Sequence, residues 1–213
     1  MGRPRRSRDR GLHHRNENAI VTRSELEANL RSFERAESPE PQRLAAVALV
    51  LLESNGEQCL PIFQRPSDMS RHPGQMALPG GRLHDGETVA QAAVRELHEE
   101  LGLAVDPGDE LGRLDDFDTR SGFTITPVVL WSEARAADLR PSASEVAVMF
   151  LPSVADLTRA ADRAGSGPAF SMRLPGVEVF APTAAMLYQF TEVVLRGRAV
   201  RVADFHQPPW THR

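Results

Sequence analysis

The sequence predicts an α/β fold with a mixed β-sheet. Residues 44–52 form a run of Ala, Val and Leu that is typical of a buried strand. Residues 88–101 have helical periodicity and are followed by Gly102, a common helix terminator. Further strand and helix segments follow in non-alternating order, which favours a mixed sheet over a purely parallel one. A length of 213 residues fits one domain with tails.

The N-terminal part of the chain is expected to lie outside the main domain. Its first 18 residues are Arg-rich and lack apolar periodicity, which predicts a disordered tail. A helix is predicted from Ser24 to Arg35, with Ser24 and Glu27 as a capping box. The predicted organisation is a tail (1–18), a helix and linker (19–42), the main domain (43–198) and a C-terminal tail (199–213).

The remaining elements are predicted from strand composition, turn residues and helix caps. Thr183 is expected to cap a last helix that ends near Arg196. The stretch 159–168, rich in Arg, Ala and Gly, is predicted to be a loop. The predicted strands after the first are 59–63, 111–119, 123–131, 146–151 and 177–180.

Composition and charge exclude several classes of protein. The net charge is −4 although the first 15 residues carry six arginines, so the body of the chain is acidic. An acidic body argues against a nucleic-acid partner, and no apolar run is long enough to span a membrane. A single cysteine, Cys59, is expected in the core and rules out an intrachain disulfide, which suits the cytoplasm. We expect a monomer or homodimer.

A cluster of glutamates on the predicted helix 88–101 carries the chemistry. Glu96, Glu99 and Glu100 are spaced i, i+3 and i+4, so they lie on one side of the helix. Their mutual repulsion would be offset by a divalent cation, and Mg²⁺ or Mn²⁺ prefers carboxylate oxygens. Such an ion would bind diphosphate oxygens and activate water. Without further context, a solvated acidic helix face would be the simpler interpretation.

The context is the stretch GRLHDGETVAQAAVRELHEELGL, residues 81–103. It resembles the sequence box of the Nudix hydrolase family, matching at Gly81, Glu87, Arg95, Glu96, Leu97, Glu99, Glu100, Gly102 and Leu103. The resemblance implies a Nudix-type α/β/α sandwich that hydrolyses a diphosphate linkage in a small nucleotide-like substrate.

The same resemblance implies roles for individual residues. Glu96, Glu99 and Arg95 are the expected catalytic residues, with Glu96 a candidate to orient or deprotonate water. The expected metal ligands are Glu96, Glu99, Glu100 and the Gly81 carbonyl. Glu87 is expected to form a structural ion pair with Arg95. Glu145, which precedes a late strand, is either an additional acid of the site or a surface glutamate.

The preceding segment, residues 65–81, reads RPSDMSRHPGQMALPGG. It is similar to the motif of the coenzyme A diphosphatase branch of the Nudix family at Arg65, Gly74, Pro79, Gly80 and Gly81. It departs from that motif at Pro66, at Leu78, which replaces a phenylalanine, and at Ser70, where the motif has a second arginine. The resemblance implies cleavage of coenzyme A or acyl-CoA into 3′,5′-ADP and 4′-phosphopantetheine. Phosphate donors are expected from Arg65, Arg71 and Gln75, and an apolar channel from Met69, Met76, Met186 and Leu187.

Two alternatives stay open at this point. Within the same chemistry, the substrate is ADP-ribose, a dinucleotide or an oxidised nucleotide. From another class, the domain is a non-catalytic nucleotide-sensing module. The intact glutamates argue against the sensing module, and metal-dependent turnover of any diphosphate would distinguish it from an enzyme.

Overall fold

The structure, a computed structural model, describes residues 20–69, 72–165 and 169–206. The predicted tail 1–18 lies outside these residues, as do Ser70, Arg71 and the last part of the predicted C-terminal tail. No helix in the described part of the chain is long and apolar enough to cross a bilayer.

Four α-helices and eleven β-strands make up the described chain. The helices are α1 (Arg23–Ser32), α2 (Val89–Leu101), α3 (Val154–Asp162) and α4 (Thr183–Gln189), the last continuing as a π-helical segment (Phe190–Leu195). The strands are β1 (Arg43–Ser54), β2 (Glu57–Cys59), β3 (Ile62–Gln64), β4 (Met76–Ala77), β5 (Gly80–Arg82), β6 (Glu110–Arg113), β7 (Phe117–Asp118), β8 (Phe123–Arg135), β9 (Val148–Phe150), β10 (Ser171–Leu174) and β11 (Val177–Phe180). Pro107–Asp109 and Ala136–Asp138 form short 3₁₀ turns.

The central sheet is mixed, as predicted. Its strand order is β2-β1-β8-β6, with β5 also paired to β1 and β7 to β8. The long strands β1 and β8 run parallel, and the other pairs are antiparallel. A three-stranded sheet, β4-β3-β9, and the β10-β11 hairpin complete the fold.

Alternating side chains of β1 separate two apolar layers. Ala48 and Val50 pack with α2 on one face of the sheet. Leu49 and Leu51 pack on the other face, in a core that also contains buried residues of α1, α3 and α4. Because strand side chains alternate between faces, this pattern produces the predicted α/β/α sandwich. Cys59 is buried in the α2 layer, and burial raises the pKa of its thiol to about 11.

The N-terminal and C-terminal parts of the chain meet at a buried carboxylate. Asp115 accepts hydrogen bonds from the Ala36 amide, from Nε2 of Gln189 and from Nη1 of Arg201, each 2.7 Å long. Nearby, Nδ2 of Asn29 in α1 donates to the carbonyl of Val194. The predicted linker and part of the predicted C-terminal tail are therefore anchored to the domain.

Several local predictions were wrong. The cap of α1 is Thr22, which forms its capping box with Glu25 rather than the Ser24–Glu27 pair. Pro182 precedes α4, and Thr183 instead donates to the Met76 carbonyl. The predicted loop 159–168 begins inside α3, because Ser153 and Asp156 form a capping box that starts a helix there. The predicted strand 59–63 is divided between β2 and β3.

Candidate functional site

The helix α2 is positioned by its two ends and by its apolar side. Thr88 caps its first turn through a capping box with Gln91. Gly102 ends it in the left-handed region (φ 67°), which favours glycine. Leu97 and Leu101 are fully buried against the sheet. With this side fixed, Glu96, Glu99 and Glu100 lie along the edge of the helix.

Strand β5 brings two glycines against this edge. Gly80 and Gly81 pair with Val47 and Ala46 of β1. A β-carbon added to Gly80 would lie 2.4 Å from the Ala46 carbonyl oxygen, and one added to Gly81 would lie 2.1 Å from Oε1 of Glu96. A larger residue at position 80 would therefore push β5 away from β1, and one at position 81 would displace the Glu96 side chain.

Arg95 is the cation that links the loop before α2 to its glutamates. Its Nε and Nη2 donate to the two carboxylate oxygens of Glu87, at 2.9 and 3.1 Å. Its Nη1 donates to Glu96 (2.7 Å) and to Glu99 (3.1 Å), and its Nη2 also donates to the Arg82 carbonyl. The hydrogen bonds with Arg95 lower the pKa of Glu87 and, in return, raise the pKa of Arg95. Both groups stay charged, which fixes the loop 82–87 to the helix.

Glu100 is the buried acid of the group, with a side chain that is 1% exposed. Its Oε2 accepts from the Gly80 amide at 2.9 Å, and its Oε1 lies 3.6 Å from Nη1 of Arg65. Burial raises its pKa to about 8, against the opposing effects of Gly80 and Arg65. The charges of Glu96 and Glu145 raise it further. Burial and the two neighbouring carboxylates therefore outweigh Gly80 and Arg65 and favour the protonated form of Glu100.

The same residues decide whether the expected divalent cation could be held here. Among residues 20–69, 72–165 and 169–206, no three His, Cys, Asp or Glu side chains converge on one point as a cation cage. Glu96 and Glu99 contact Arg95, and Glu100 contacts Gly80 and Arg65. The donors are nonetheless hard oxygens, and a cation at Glu100 would offset the repulsion from Glu96 and Glu145. The residues present thus fit a divalent cation in chemistry and charge.

A cleft of about 680 Å³ opens beside the two glycines. Gly80, Gly81 and Arg65 line the end that adjoins α2. Most of its wall is apolar, and the apolar side chains come from β1, β4, β8, the β11 strand and α4: Val47, Met76, Ile125, Val177, Phe180 and Met186. At the ends of β5 and β8, the cleft is lined by Thr119, Ser121, Phe123 and Arg82. Cavities of this size and character hold nucleotide-sized ligands.

Only some of the residues predicted as substrate contacts line the cleft. Arg65 and Gln75 both line the cleft, and Nε of Arg65 is buried without a hydrogen-bond partner among the described residues. Arg71 lies outside the described residues. Of the four residues expected to form the apolar channel, Met76 and Met186 line the cleft, whereas Leu187 is fully buried in the core and Met69 is not part of the wall.

Sequence reasoning missed one wall of this cleft. Arg82 falls at a variable position of the box, Phe123 begins β8, and Val177 and Phe180 lie on the hairpin strand β11. These residues are distant along the chain and share no local pattern. Only the pairing of β5 and β8 with β1 brings Arg82 and Phe123 together.

Comparisons with known proteins agree with this architecture. A family model described as the NUDIX domain matches residues 41–170. The uncharacterized Nudix hydrolase NudL of Enterobacter sp. (strain 638) is 36% identical over 88 residues, 41% of this chain and 46% of the relative. The peroxisomal coenzyme A diphosphatase ndx-8 of Caenorhabditis elegans is 37% identical over 91 residues, 39% of this chain and 38% of the relative. The chain spans about half the length of the first curated relatives it matches.

One solved structure shows the same fold. A Nudix hydrolase from Alicyclobacillus acidocaldarius superposes with a TM-score of 0.50 at 17% identity, covering 76% of this chain and 95% of the other. The family match covers more than half of the chain and includes the glycines of β5 and the glutamates of α2. The chain therefore belongs to the Nudix family.

Proposed function

We propose that this protein is a metal-dependent hydrolase that cleaves the diphosphate of coenzyme A or acyl-CoA into 3′,5′-ADP and 4′-phosphopantetheine. The main support for the proposal is the location of Gly80 and Gly81 between the acidic helix and the cleft. They contact the glutamates of α2 and line the cleft of about 680 Å³. A diphosphate at this end of the cleft would lie beside the two glycines that the glutamates contact, although no residue of α2 is part of the cleft wall.

The shape and lining of the cleft support this substrate class. Its largely apolar wall, which includes Met76, Met186 and Phe180, suits the pantetheine arm. At the α2 end, Arg65 offers a buried donor without a partner among the described residues, which suits a phosphate oxygen. The relative named coenzyme A diphosphatase, 37% identical over 91 residues, adds support at the level of similarity.

In the proposed reaction, water attacks one phosphorus and the bond to the bridging oxygen breaks. Glu96, Glu99, Glu100 and the Gly81 carbonyl would hold Mg²⁺ or Mn²⁺. When bound, this cation neutralises charge on the diphosphate oxygens and activates water. Glu96 orients the water and accepts its proton, while Arg95 keeps Glu96 and Glu99 in place and Glu87 holds Arg95. Glu145, near Glu100, is proposed as an additional acid of the site.

A substrate panel tests the proposal. The protein is incubated with Mg²⁺ or Mn²⁺ and coenzyme A, acetyl-CoA, ADP-ribose, NADH or oxidised dGTP, and the products are separated by chromatography. We expect 3′,5′-ADP and 4′-phosphopantetheine, and a higher kcat/KM for the coenzyme A compounds than for the others. A Glu96→Gln preparation measures background from contaminating phosphatases. Preference for ADP-ribose with coenzyme A untouched would overturn the substrate, and binding without any turnover would favour the sensing module.

A further inference from the structure

Two arginines from different strands contact one aromatic ring that lines the cleft. The guanidinium carbon of Arg43 lies 4.1 Å from the centre of the Phe123 ring, and that of Arg82 lies 4.8 Å from it. Arg43 and Phe123 are paired across β1 and β8, and Arg82 is paired with Ala45 of β1. The strand registers thus place both cations on the same ring.

The positive charge at this point is not neutralised. Neither guanidinium forms an ion pair with a carboxylate anywhere in the described residues. Arg43 uses its Nε and Nη2 on the carbonyls of Gly122 and Ser121. No hydrogen bond from the Arg82 guanidinium is found within the described chain, and this residue is exposed. Two like charges on one ring repel each other, so an anion beside them would be stabilised.

The backbone of Arg82 connects this pair to the acidic helix. Its carbonyl accepts from Nη2 of Arg95 at 3.0 Å, and Arg95 also contacts Glu96. Arg82, Phe123 and Gly81 line the same cleft. The backbone from which the unpaired guanidinium extends is therefore held in place next to Gly81, which adjoins Glu96.

We propose that Arg82, supported by the Phe123 ring, determines specificity by binding a second phosphate group of the substrate, separate from the diphosphate that is cleaved. The planar guanidinium can stack on the ring and donate to phosphate oxygens at the same time. This inference rests on the proposed function, whose substrate carries such a group as the 3′-phosphate of its adenosine. Arg43 adds positive potential, while its own donors stay with the Ser121–Gly122 turn.

Selectivity for the 3′-phosphate tests the assignment. The kcat/KM values for coenzyme A and for 3′-dephospho-coenzyme A are measured with wild type, Arg82→Gln and Arg82→Lys. We expect the ratio of the two values to fall about tenfold in Arg82→Gln, the effect expected from losing one charge-assisted contact. Arg82→Lys, which keeps the charge but not the planar donor, should lie between them. Arg120→Gln is the matched control, since Arg120 is an exposed arginine of the same turn that does not line the cleft.

A binding experiment keeps this inference separate from the proposed function. The dissociation constants of 3′,5′-ADP and 5′-AMP are measured by calorimetry for the same variants, without any need for turnover. We expect wild type to prefer 3′,5′-ADP and Arg82→Gln to lose most of that preference. Equal affinities in wild type, or an unchanged preference in Arg82→Gln, would overturn the role of Arg82. Absence of coenzyme A hydrolysis with a retained Arg82-dependent preference would overturn only the proposed reaction.

Discussion

Gly81 and Glu96 fit together only because residue 81 has no side chain: a β-carbon there would lie 2.1 Å from Oε1 and 2.5 Å from Cδ of Glu96. The glutamate carboxylate therefore lies directly over the backbone of β5, where it also accepts from Nη1 of Arg95. A methyl group at this position would displace a flexible side chain and leave the core intact.

The first prediction concerns this contact. Gly81→Ala should lower kcat by about 10²-fold, because misplacement of a catalytic group by about 1 Å has that order of effect. The melting temperature should change little, since the end of the Glu96 side chain can move. Gly165→Ala is the control, because a β-carbon at Gly165 meets nothing within 4 Å. The measurement is steady-state kinetics. A wild-type kcat in Gly81→Ala would contradict the proposed role of Glu96.

The second prediction concerns the glutamates themselves. Glu96→Gln and Glu100→Gln keep the size of the side chain and remove its charge. Each should reduce kcat by about 10²–10⁴-fold, the range typical for loss of an acid–base or metal-positioning group. Glu57→Gln, at an exposed position of β2, should behave as wild type. Near-wild-type rates in the first two variants would show that the site is elsewhere.

The third prediction concerns stability and pH in metal-free protein. The pKa of Glu100 is raised from 4.5 to about 8, mainly by burial. Between these values the folded state holds a proton that the unfolded chain has lost, so stability falls as pH rises through this range. Glu100→Gln lacks this titration. From about pH 5 to pH 8.5, the wild-type melting temperature should therefore fall more than that of the variant.

The control for the pH experiment is again Glu57→Gln, which should follow the wild-type curve. Added Mg²⁺ or Mn²⁺ should flatten the wild-type curve, because a bound cation favours the ionised form of Glu100. Equal pH dependence in wild type and Glu100→Gln would mean that Glu100 is ionised in the folded protein throughout this range.

The fourth prediction concerns the anchoring of the chain ends. Asp115→Asn replaces a carboxylate oxygen with an amide donor, where Ala36, Gln189 and Arg201 all donate. The free energy of unfolding should fall by about 1–3 kcal/mol, the cost of leaving buried donors unsatisfied. Asp204→Asn, an exposed acid near the C-terminal end of the described chain, should have no effect. The free energy of unfolding of both variants is measured by chemical denaturation. Equal values for Asp115→Asn and Asp204→Asn would argue that Asp115 does not anchor the chain ends.

The acidic helix could be predicted from the sequence because its determinants are local. Thr88, Gly102 and the buried leucines occur at the spacing that fixes a helix and its inner side, and the structure has α2 at residues 89–101. The structure also contains the expected ion pair between Glu87 and Arg95. That this pair serves catalysis, and that the glutamates bind a metal, stay predictions.

The cleft could not be predicted because its determinants are long-range. Arg82 and Phe123 are brought together by the pairing of two strands with β1, and Val177 by a hairpin whose first strand was not predicted. The start of α3, by contrast, was missed although its signal is local: Ser153 and Asp156 form a capping box, and Leu157, Ala160 and Ala161 form one buried side. Helix and strand periodicity carries no information on which distant elements face one cavity.

The two sides of the cleft are encoded by separate stretches of the chain. Gly80 and Gly81 belong to the stretch that leads into α2, whereas Val177, Phe180 and Met186 belong to the β11 strand and α4. Mutations in the later stretch can reshape the pocket while the glutamates keep their backbone supports. Grafting the 171–186 segment of a relative onto this chain would therefore be a direct way to change the shape of the pocket while keeping the same acidic helix.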